Sequence, residues 1–259
     1  MRASFRFYGA LNDFLPAAHR QATLVYGFER SASVKDFIET LRVPHPEIDR
    51  ILVNGTFVDF AYIVRDGDRV AVYPPFRLLD CGEIGRLGPA PQADPRFVAD
   101  VHLGRLTAYL RLAGFDTSYR NNYSDRELVE ITVAEDRTVL TRDVGVLKHG
   151  KVIRGYFVRE TESGRQLIEV LRRFDLVPHA APFTRCLRCG CVLQVVPKDR
   201  VEHLLLRRTR EYYDDFSQCS ECGRVYWRGS HHARMQRFLD IAFAAATRAA
   251  RVMSAGSRQ

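Results

Sequence analysis

Short alternating and helical patterns of apolar residues fill the first 78 positions of the chain. Residues 3–8 alternate apolar and polar side chains, which is typical of a half-buried strand. Ser33 precedes apolar residues at helical spacing through Leu41, which predicts a capped helix. Asn54-Gly55 and Asp66-Gly67-Asp68 are turn signals beside short strands. We therefore expect a small α+β domain at 1–78.

The middle of the chain, residues 96–182, alternates strand patterns with helix patterns. Strands are predicted at 96–100, 115–119, 137–141 and 155–158. Three helices are indicated by apolar residues at helical spacing. The first carries Leu103, Leu106, Leu110 and Ala113, the second carries Leu128, Ile131 and Ala134, and the last, after the fourth strand, carries Leu167, Ile168, Leu171 and Phe174. Ser124 with Glu127 matches a capping box. This alternation predicts an α/β fold with a mostly parallel sheet covered by helices.

The remaining segments complete the predicted organisation. Residues 79–95 are rich in glycine and proline and are interpreted as a linker. Residues 183–232 carry paired cysteines, and a helix from about residue 233 to 251 leads into a polar tail ending at 259. The apolar face of that helix, around Phe238 and Leu239, is expected to pack against another part of the chain.

Two CxxC pairs give the strongest chemical signal. Cys186 and Cys189 form the first pair, Cys219 and Cys222 form the second, and a glycine follows each pair. Each CxxC pair is a knuckle, a tight turn that places two thiolates on one side. Two knuckles can complete a tetrahedral four-sulfur site for structural Zn²⁺. Because 29 residues separate the pairs, more than the usual ~15 to 20, we expect a zinc ribbon with an enlarged hairpin. Disulfides or unrelated thiols are the alternative.

Other potential ligands lie close to these pairs. Cys191, His231 and His232 could each approach the metal, but four cysteines already satisfy tetrahedral zinc. We therefore favour roles for them outside the coordination sphere. Cys81 stands apart in the predicted linker and is expected to be incidental.

Composition excludes some classes of protein and favours others. The chain has 259 residues and an ordinary hydrophobic content of 46%. It contains no apolar run of 18 residues, so no transmembrane helix and no membrane association are predicted. The N-terminus lacks the apolar core of a signal peptide. Cysteines at metal spacing, without an export signal, favour the cytoplasm.

Positive charge is concentrated near the cysteines. Of the formal net charge of +8, residues 183–259 contribute +7, with fourteen Lys and Arg against seven Asp and Glu. Arg207, Arg208 and Arg210 cluster between the knuckles. Such asymmetry favours a polyanionic partner, RNA or DNA, over an ordinary solvated surface. Tyr226 and Trp227 could stack on unpaired bases or pack the small core of a ribbon.

Three aspartates could form a second metal site. Asp100 and Asp143 follow predicted strands, and Asp125 begins the helix that precedes the third strand. Ligands of α/β sheets gather beyond the carboxyl ends of the strands. Converging carboxylates there could hold Mg²⁺ or Mn²⁺. The alternatives are a helix-start residue at Asp125 and a turn cap at Asp143.

The motifs of the middle and final segments resemble a known nuclease family. Phe97-Val-Ala-Asp100, Ser124-Asp125-Arg-Glu-Leu128, Val139-Leu-Thr-Arg-Asp143 and the segment from Cys219 to His231 are similar to the Mut-seven C-terminal RNase family. The resemblance implies a PIN-like nuclease core followed by a zinc ribbon. It also implies catalytic roles for Asp100, Asp125 and Asp143 and a positioning role for the Thr141 hydroxyl. Arg142, together with Arg207, Arg208 and Arg210, is predicted to contact nucleic acid.

The N-terminal segment resembles the ubiquitin-like β-grasp domain that is fused to this family. It is also similar to sulfur carriers, but those end in a free Gly-Gly, whereas this chain continues through Phe76 to Asp80. A structural role, or docking of a protein partner, is therefore expected in place of sulfur transfer.

Larger PIN nucleases have a further acid between the first strand and the later acids, and this sequence has no clear counterpart of it. Glu127 or Glu130 could replace it, whereas Asp116 is expected at the opposite edge of the sheet. The sequence thus predicts a Mg²⁺- or Mn²⁺-dependent ribonuclease. The alternative is a non-catalytic RNA-binding or adaptor protein.

Overall fold

The computed structural model describes residues 1–76 and 84–255, with side chains through residue 248. The start of the predicted linker, including Cys81, lies outside these residues. The contacts divide the chain into two compact units. Unit 1 comprises Met1–Pro91 and Ser124–Phe157, and unit 2 comprises Gln92–Tyr123 and Val158–Gln259.

The strands are numbered in chain order as β1 (Arg2–Phe7), β2 (Thr23–Gly27), β3 (Arg50–Val53), β4 (Thr56–Val58), β5 (Arg69–Tyr73), β6 (Phe97–Ala99), β7 (Thr117–Ser118), β8 (Thr138–Thr141), β9 (Gly155–Phe157), β10 (Leu193–Val196), β11 (Phe216–Cys219) and β12 (Val225–Trp227). The helices are α1 (Val34–Thr40), α2 (Gly104–Leu112), α3 (Asp125–Ala134), α4 (Val144–Leu147), α5 (Ser163–Arg173), α6 (Lys198–Val201), α7 (Arg207–Tyr212) and α8 (Ser230–Ala255). Within the described part of the chain, none of the helices combines the length and apolarity that crossing a bilayer requires.

A mixed five-stranded sheet in the order β2-β1-β5-β3-β4 forms the N-terminal part of unit 1. Its strands β1 and β5 are parallel, and its other neighbours are antiparallel. One face of α1 buries Val34, Phe37 and Ile38 in the core beneath the sheet. Sheet and helix together form the small α+β domain that the sequence predicts.

Local signals explain the turns of this domain. Ser33 accepts the amide N–H of Asp36, whose side chain accepts in return from the Ser33 backbone, so α1 begins with a capping box. Asn54 and Gly55 both have positive φ and join β3 to β4 through a two-residue hairpin turn. Buried Asp68 accepts hydrogen bonds from the Tyr62 hydroxyl at 3.0 Å and the Arg65 amide at 2.8 Å.

The second part of unit 1 packs against this N-terminal domain. Strands β8 and β9 are parallel, and α3 begins with the capping box of Ser124 and Glu127. His45 Nε2 lies 2.8 Å from the carbonyl oxygen of Val152. The Phe157 amide donates to the buried Glu47 carboxylate at 2.7 Å. The N-terminal domain is therefore attached to the β8–β9 segment by hydrogen bonds from buried groups.

Unit 2 contains a parallel strand pair, helices and an antiparallel sheet. Strands β6 and β7 are parallel, and α5 contacts both α2 and α8. The predicted apolar face of α8 is confirmed by the burial of Leu239 and Ala242 and by a 4.5 Å ring contact between Tyr109 and Phe238. The antiparallel sheet has the order β10-β11-β12. The enlarged hairpin between β10 and β11 contains α6 and α7.

Some predicted elements differ from the structure. The strand predicted at 115–119 is limited to Thr117–Ser118, and the short helix α4 was not predicted. In α3 the buried face consists of Leu128, Val129 and Thr132, whereas the predicted Ala134 is exposed. The helix, its capping box and the buried Leu128 are confirmed, and only the placement of Ala134 was wrong. Thr132 takes a buried position in its place because its hydroxyl donates to the Leu128 carbonyl.

Candidate functional site

Four cysteine sulfurs converge in unit 2. The ligand atoms of Cys186, Cys189, Cys219 and Cys222 all lie within 4.8 Å of one another. Sulfurs from different knuckles are 3.5 Å apart for Cys186 and Cys222, and 3.3 Å apart for Cys189 and Cys219. All four are free thiols. Zn–S bonds of about 2.3 Å in a tetrahedron place sulfurs about 3.8 Å apart, so this donor set fits Zn²⁺.

Tight turns orient the two cysteine pairs. The Gly190 amide donates to the Cys186 carbonyl at 2.9 Å, and the Gly223 amide donates to the Cys219 carbonyl at 3.0 Å. Both glycines have positive φ, 85° and 68° respectively. This conformation favours glycine, which explains the residue that follows each CxxC pair.

Tyr226 on β12 supports the first knuckle. Its hydroxyl lies 3.2 Å from Cys186 Sγ and accepts the Leu187 amide N–H at 3.0 Å. Burial raises the pKa of Tyr226, so its hydroxyl stays protonated and can donate to the sulfur. Burial also raises the pKa of Cys186, but hydrogen bonds from Tyr226 and the backbone amides outweigh burial and lower that pKa to about 6. A thiolate is the form of cysteine that binds metal.

Arg111 on α2 supports the same knuckle from the other side. Its buried guanidinium donates to the carbonyls of Thr117 at 2.9 Å, Leu187 at 3.2 Å and Arg188 at 2.6 Å. Burial lowers the pKa of Arg111, and the neighbouring Cys189 opposes this shift. A Cβ added at Gly190 would lie 3.0 Å from Arg111 Nε, so a larger residue there would press on the guanidinium.

The neighbouring candidate ligands take other positions. Cys191 is absent from the sulfur cluster, and its carbonyl accepts the Cys186 amide N–H at 2.8 Å. His232 stacks on Phe183 with ring centroids 4.1 Å apart. His231 Nδ1 lies 3.0 Å from a guanidinium nitrogen of Arg234. The metal-binding group of the described residues therefore contains the four predicted cysteines and neither histidine.

The predicted acidic residues each lie at the start of a helix, which for Asp100 is the short 3₁₀ helix Val101–Leu103. Asp143 follows β8, and its Oδ1 accepts the Gly145 amide N–H at 2.6 Å at the start of α4. The Thr141 hydroxyl accepts the Asp143 amide N–H at 2.9 Å. Asp125 is the exposed first residue of α3. Asp143 and Asp125 belong to unit 1, whereas Asp100 belongs to unit 2.

Asp100 follows β6 as predicted. It is buried, and its Oδ1 accepts the Val101 amide N–H at 2.6 Å. The turn-cap role considered for Asp143 is therefore present, and Asp125 is a helix-start residue as the alternative held. The cap uses one oxygen of the Asp143 carboxylate, which has two.

Comparison with known protein families identifies the chain. The family model described as Mut7-C RNAse domain matches residues 95–239, more than half of the chain. The model described as Mut7-C ubiquitin matches residues 1–80. The chain belongs to the Mut7-C RNAse family. The resemblance found in the sequence is thereby confirmed, including the order of the ubiquitin-like and RNase domains.

The other comparisons are less informative for this Mut7-C protein. A solved structure, SAMP1 from Haloferax volcanii, is similar to it at 21% identity and a TM-score of 0.24. That match covers 29% of this chain and 97% of SAMP1. No curated protein matches the Mut7-C chain significantly.

The candidate substitutes for a further acid in the Mut7-C domain have local partners. Glu127 Oε2 accepts from the Ser124 amide and hydroxyl, each at 2.8 Å. Glu130 pairs with Arg126 at 2.8 Å. Asp116 precedes β7 and lies 3.8 Å from the Arg185 guanidinium.

The predicted RNA-binding arginines are mostly on the enlarged hairpin. Arg207 and Arg210 on α7 lie 3.9 Å and 3.7 Å from Glu211 and Glu202, so part of their charge is neutralised. Arg208 is exposed and forms no ion pair with the described residues. Arg142 lies between Thr141 and Asp143 at the end of β8 and is half-buried.

Sequence reasoning did not find two supports of the cysteine cluster. Arg111 lies in an apolar helix segment and has no local signal of its contact with the knuckle. The Tyr226 hydroxyl contact likewise depends on pairing between β11 and β12. The CxxC spacing identified the sulfur ligands, but these supports required the folded chain.

Proposed function

We propose that this Mut7-C protein is a metal-dependent ribonuclease that hydrolyses RNA phosphodiesters. The observation that carries the proposal is the RNAse family match across residues 95–239, which contain all three predicted catalytic aspartates. The proposed roles are Asp100, Asp125 and Asp143 as carboxylate ligands of Mg²⁺ or Mn²⁺. Oxygen donors of this type suit both cations.

Two side-chain environments support the assignment. Thr141 holds the Asp143 backbone, and Gly145 holds one carboxylate oxygen, while Oδ2 has no hydrogen bond with the described residues. The exposed Asp125 carboxylate also has no hydrogen bond or ion pair in the described part of the chain. Oxygens without protein partners remain able to bind a cation. Mg²⁺ or Mn²⁺, when bound, supplies positive charge that acidifies a bound water and stabilises a phosphodiester transition state.

The cysteine cluster is proposed to hold structural Zn²⁺ as a zinc ribbon. The sulfur spacing and the four-thiol donor set support this role, and a closed four-ligand site leaves no position for substrate. Arg207, Arg208, Arg210 and Arg142 are proposed to contact the RNA backbone. Contacts of this kind provide sequence-independent, salt-dependent affinity.

A non-catalytic RNA-binding or adaptor role is the second candidate. The observation that favours it is the local engagement of Glu127 and Glu130, which leaves the acid set without a fourth member. The ubiquitin-like domain supports protein interaction in either case.

Cleavage of end-labelled single-stranded and structured RNAs tests the first candidate. The Asp100→Asn, Asp125→Asn and Asp143→Asn variants should each lose cleavage in Mg²⁺ or Mn²⁺, and EDTA should abolish wild-type cleavage. Asp240→Asn, which changes an exposed acid on α8, is the matched control and should cleave normally. RNA binding without metal-dependent cleavage by the wild type would favour the second candidate.

A further inference from the structure

A groove of about 790 Å³ lies within unit 2, between the antiparallel sheet and the beginning of α8. Its walls are largely aromatic and apolar, and Val195 on β10 is 88% exposed there. The volume is in the range of small-molecule and nucleotide sites, roughly 300–1,000 Å³. None of the four cysteines lines the groove, and Tyr226 stands between the two sites, lining the groove while its hydroxyl lies 3.2 Å from Cys186 Sγ.

Two flat aromatic surfaces contribute to this groove. Trp227 is 39% exposed at the end of β12. A Cβ added at Gly229 would lie 2.8 Å from the indole Nε1, so the glycine backbone packs against the ring and limits its orientation. The second surface is the stacked pair of Phe183 and His232.

The charge at the groove favours an anion. Arg228 is exposed beside Trp227 and forms no ion pair with the described residues. Arg185 also lines the groove, but its guanidinium donates to the carbonyls of Gly114 and Gly190 at 3.0 Å and 2.9 Å. One acid, Asp215, is present. The surrounding segment from residue 183 to 259 carries a formal charge of +7.

We propose that this groove binds an unpaired RNA segment, with a base stacked on Trp227 and a neighbouring phosphate paired with Arg228. Base stacking on aromatic side chains requires an exposed base face, which single-stranded RNA offers and a duplex conceals. This inference rests on the proposed function, because it names single-stranded RNA as the form of substrate that the ribonuclease holds.

Trp227 is the one tryptophan of the chain, so its fluorescence reports directly on the groove. The experiment titrates the full-length Asp143→Asn protein with an unlabelled eight-nucleotide single-stranded RNA and with a duplex of the same sequence. The single strand should quench the fluorescence saturably, and the duplex should quench it much less. Fluorescence anisotropy of a labelled copy of the RNA measures total binding in parallel.

Variants separate stacking from general affinity. Trp227→Ala should weaken single-strand binding roughly 5- to 150-fold, from about 1–3 kcal/mol per stacked base, whereas Trp227→Phe should retain most of the affinity. Phe57→Ala, at an aromatic residue 41% exposed on β4 of the N-terminal domain, is the matched control and should bind like the parent. Arg228→Gln should reduce the salt dependence of RNA affinity by the equivalent of about one phosphate contact. Arg30→Gln, which changes an exposed arginine of the N-terminal domain, should leave that salt dependence unchanged.

The outcomes distinguish this inference from the proposed function. Tight RNA binding without quenching, or unchanged affinity in a folded, zinc-containing Trp227→Ala protein, would overturn the groove assignment even if the wild type cleaves RNA. Quenching and stacking-dependent affinity in a protein that never cleaves RNA would support the groove and reject the ribonuclease.

Discussion

Arg111, in the first helix of the RNase domain, donates a hydrogen bond to the backbone carbonyl of Arg188, inside the first cysteine knuckle, 2.6 Å away. The same guanidinium donates to the carbonyl of Thr117, the first residue of β7. One buried side chain therefore connects the α2–β7 segment to the cysteine cluster. The knuckle depends on this helix as well as on its metal ligands.

Replacing Arg111 should destabilise the protein. In Arg111→Met the apolar stem remains, but the Thr117 and Arg188 carbonyls lose a charged donor in a buried setting. Such losses cost about 1.5–3 kcal/mol per hydrogen bond, so for the two bonds we expect roughly 3–6 kcal/mol in urea unfolding of the zinc-loaded protein. Arg105→Met, at an exposed position of the same helix, should change stability by less than about 0.5 kcal/mol. Equal stability of the two variants would show that the Arg111 contacts contribute little.

The cysteine cluster should bind one Zn²⁺ per chain. Removal of a ligand in Cys222→Ser should weaken zinc affinity by more than the ~10- to 100-fold that loss of an outer hydrogen-bond partner typically costs. Cys191→Ser, which changes a cysteine outside the cluster, should keep its zinc. Metal analysis of the purified proteins measures their zinc content, and competition with a chromogenic chelator measures their zinc affinity. Loss of zinc in Cys191→Ser, or full zinc in Cys222→Ser, would mean that the ligand set is assigned incorrectly.

Glu47 should couple the ubiquitin-like domain to the β8–β9 segment of unit 1. The Glu47 carboxylate is 2% exposed and accepts the Phe157 amide N–H. Glu47→Ala leaves that amide without this acceptor, which should destabilise unit 1 by about 1–3 kcal/mol and speed hydrogen exchange at Phe157. Glu29→Ala removes an exposed carboxylate from the same domain and should leave exchange unchanged. Slow exchange at Phe157 in both variants would contradict the coupling.

Local signals predicted much of the fold. The capping boxes at Ser33 and Ser124 and the turn at Asn54-Gly55 depend on neighbouring residues, so the sequence alone identifies them. The CxxC pairs were equally informative because knuckle geometry is local. Strand β2, with half-buried Leu24 and Tyr26, was missed because its position depends on pairing with β1.

Long-range contacts account for what the sequence did not predict. The carbonyls that Arg111 binds at Leu187 and Arg188 are 76 and 77 residues away in the chain. The groove beside Trp227 similarly needs the sheet, the Phe183 segment and α8 together. Neither arrangement leaves a periodic pattern in the sequence.

The most direct test of the ribonuclease assignment is the single-turnover cleavage rate of single-stranded RNA by wild type and Asp143→Asn in saturating Mn²⁺. Both proteins should first be shown to contain equal zinc and to unfold at the same urea concentration. We predict a rate at least roughly 100-fold lower in the variant, equivalent to about 2.7 kcal/mol of lost transition-state stabilisation. Equal rates in the two proteins would contradict the assignment of Asp143 and the nuclease mechanism built on it.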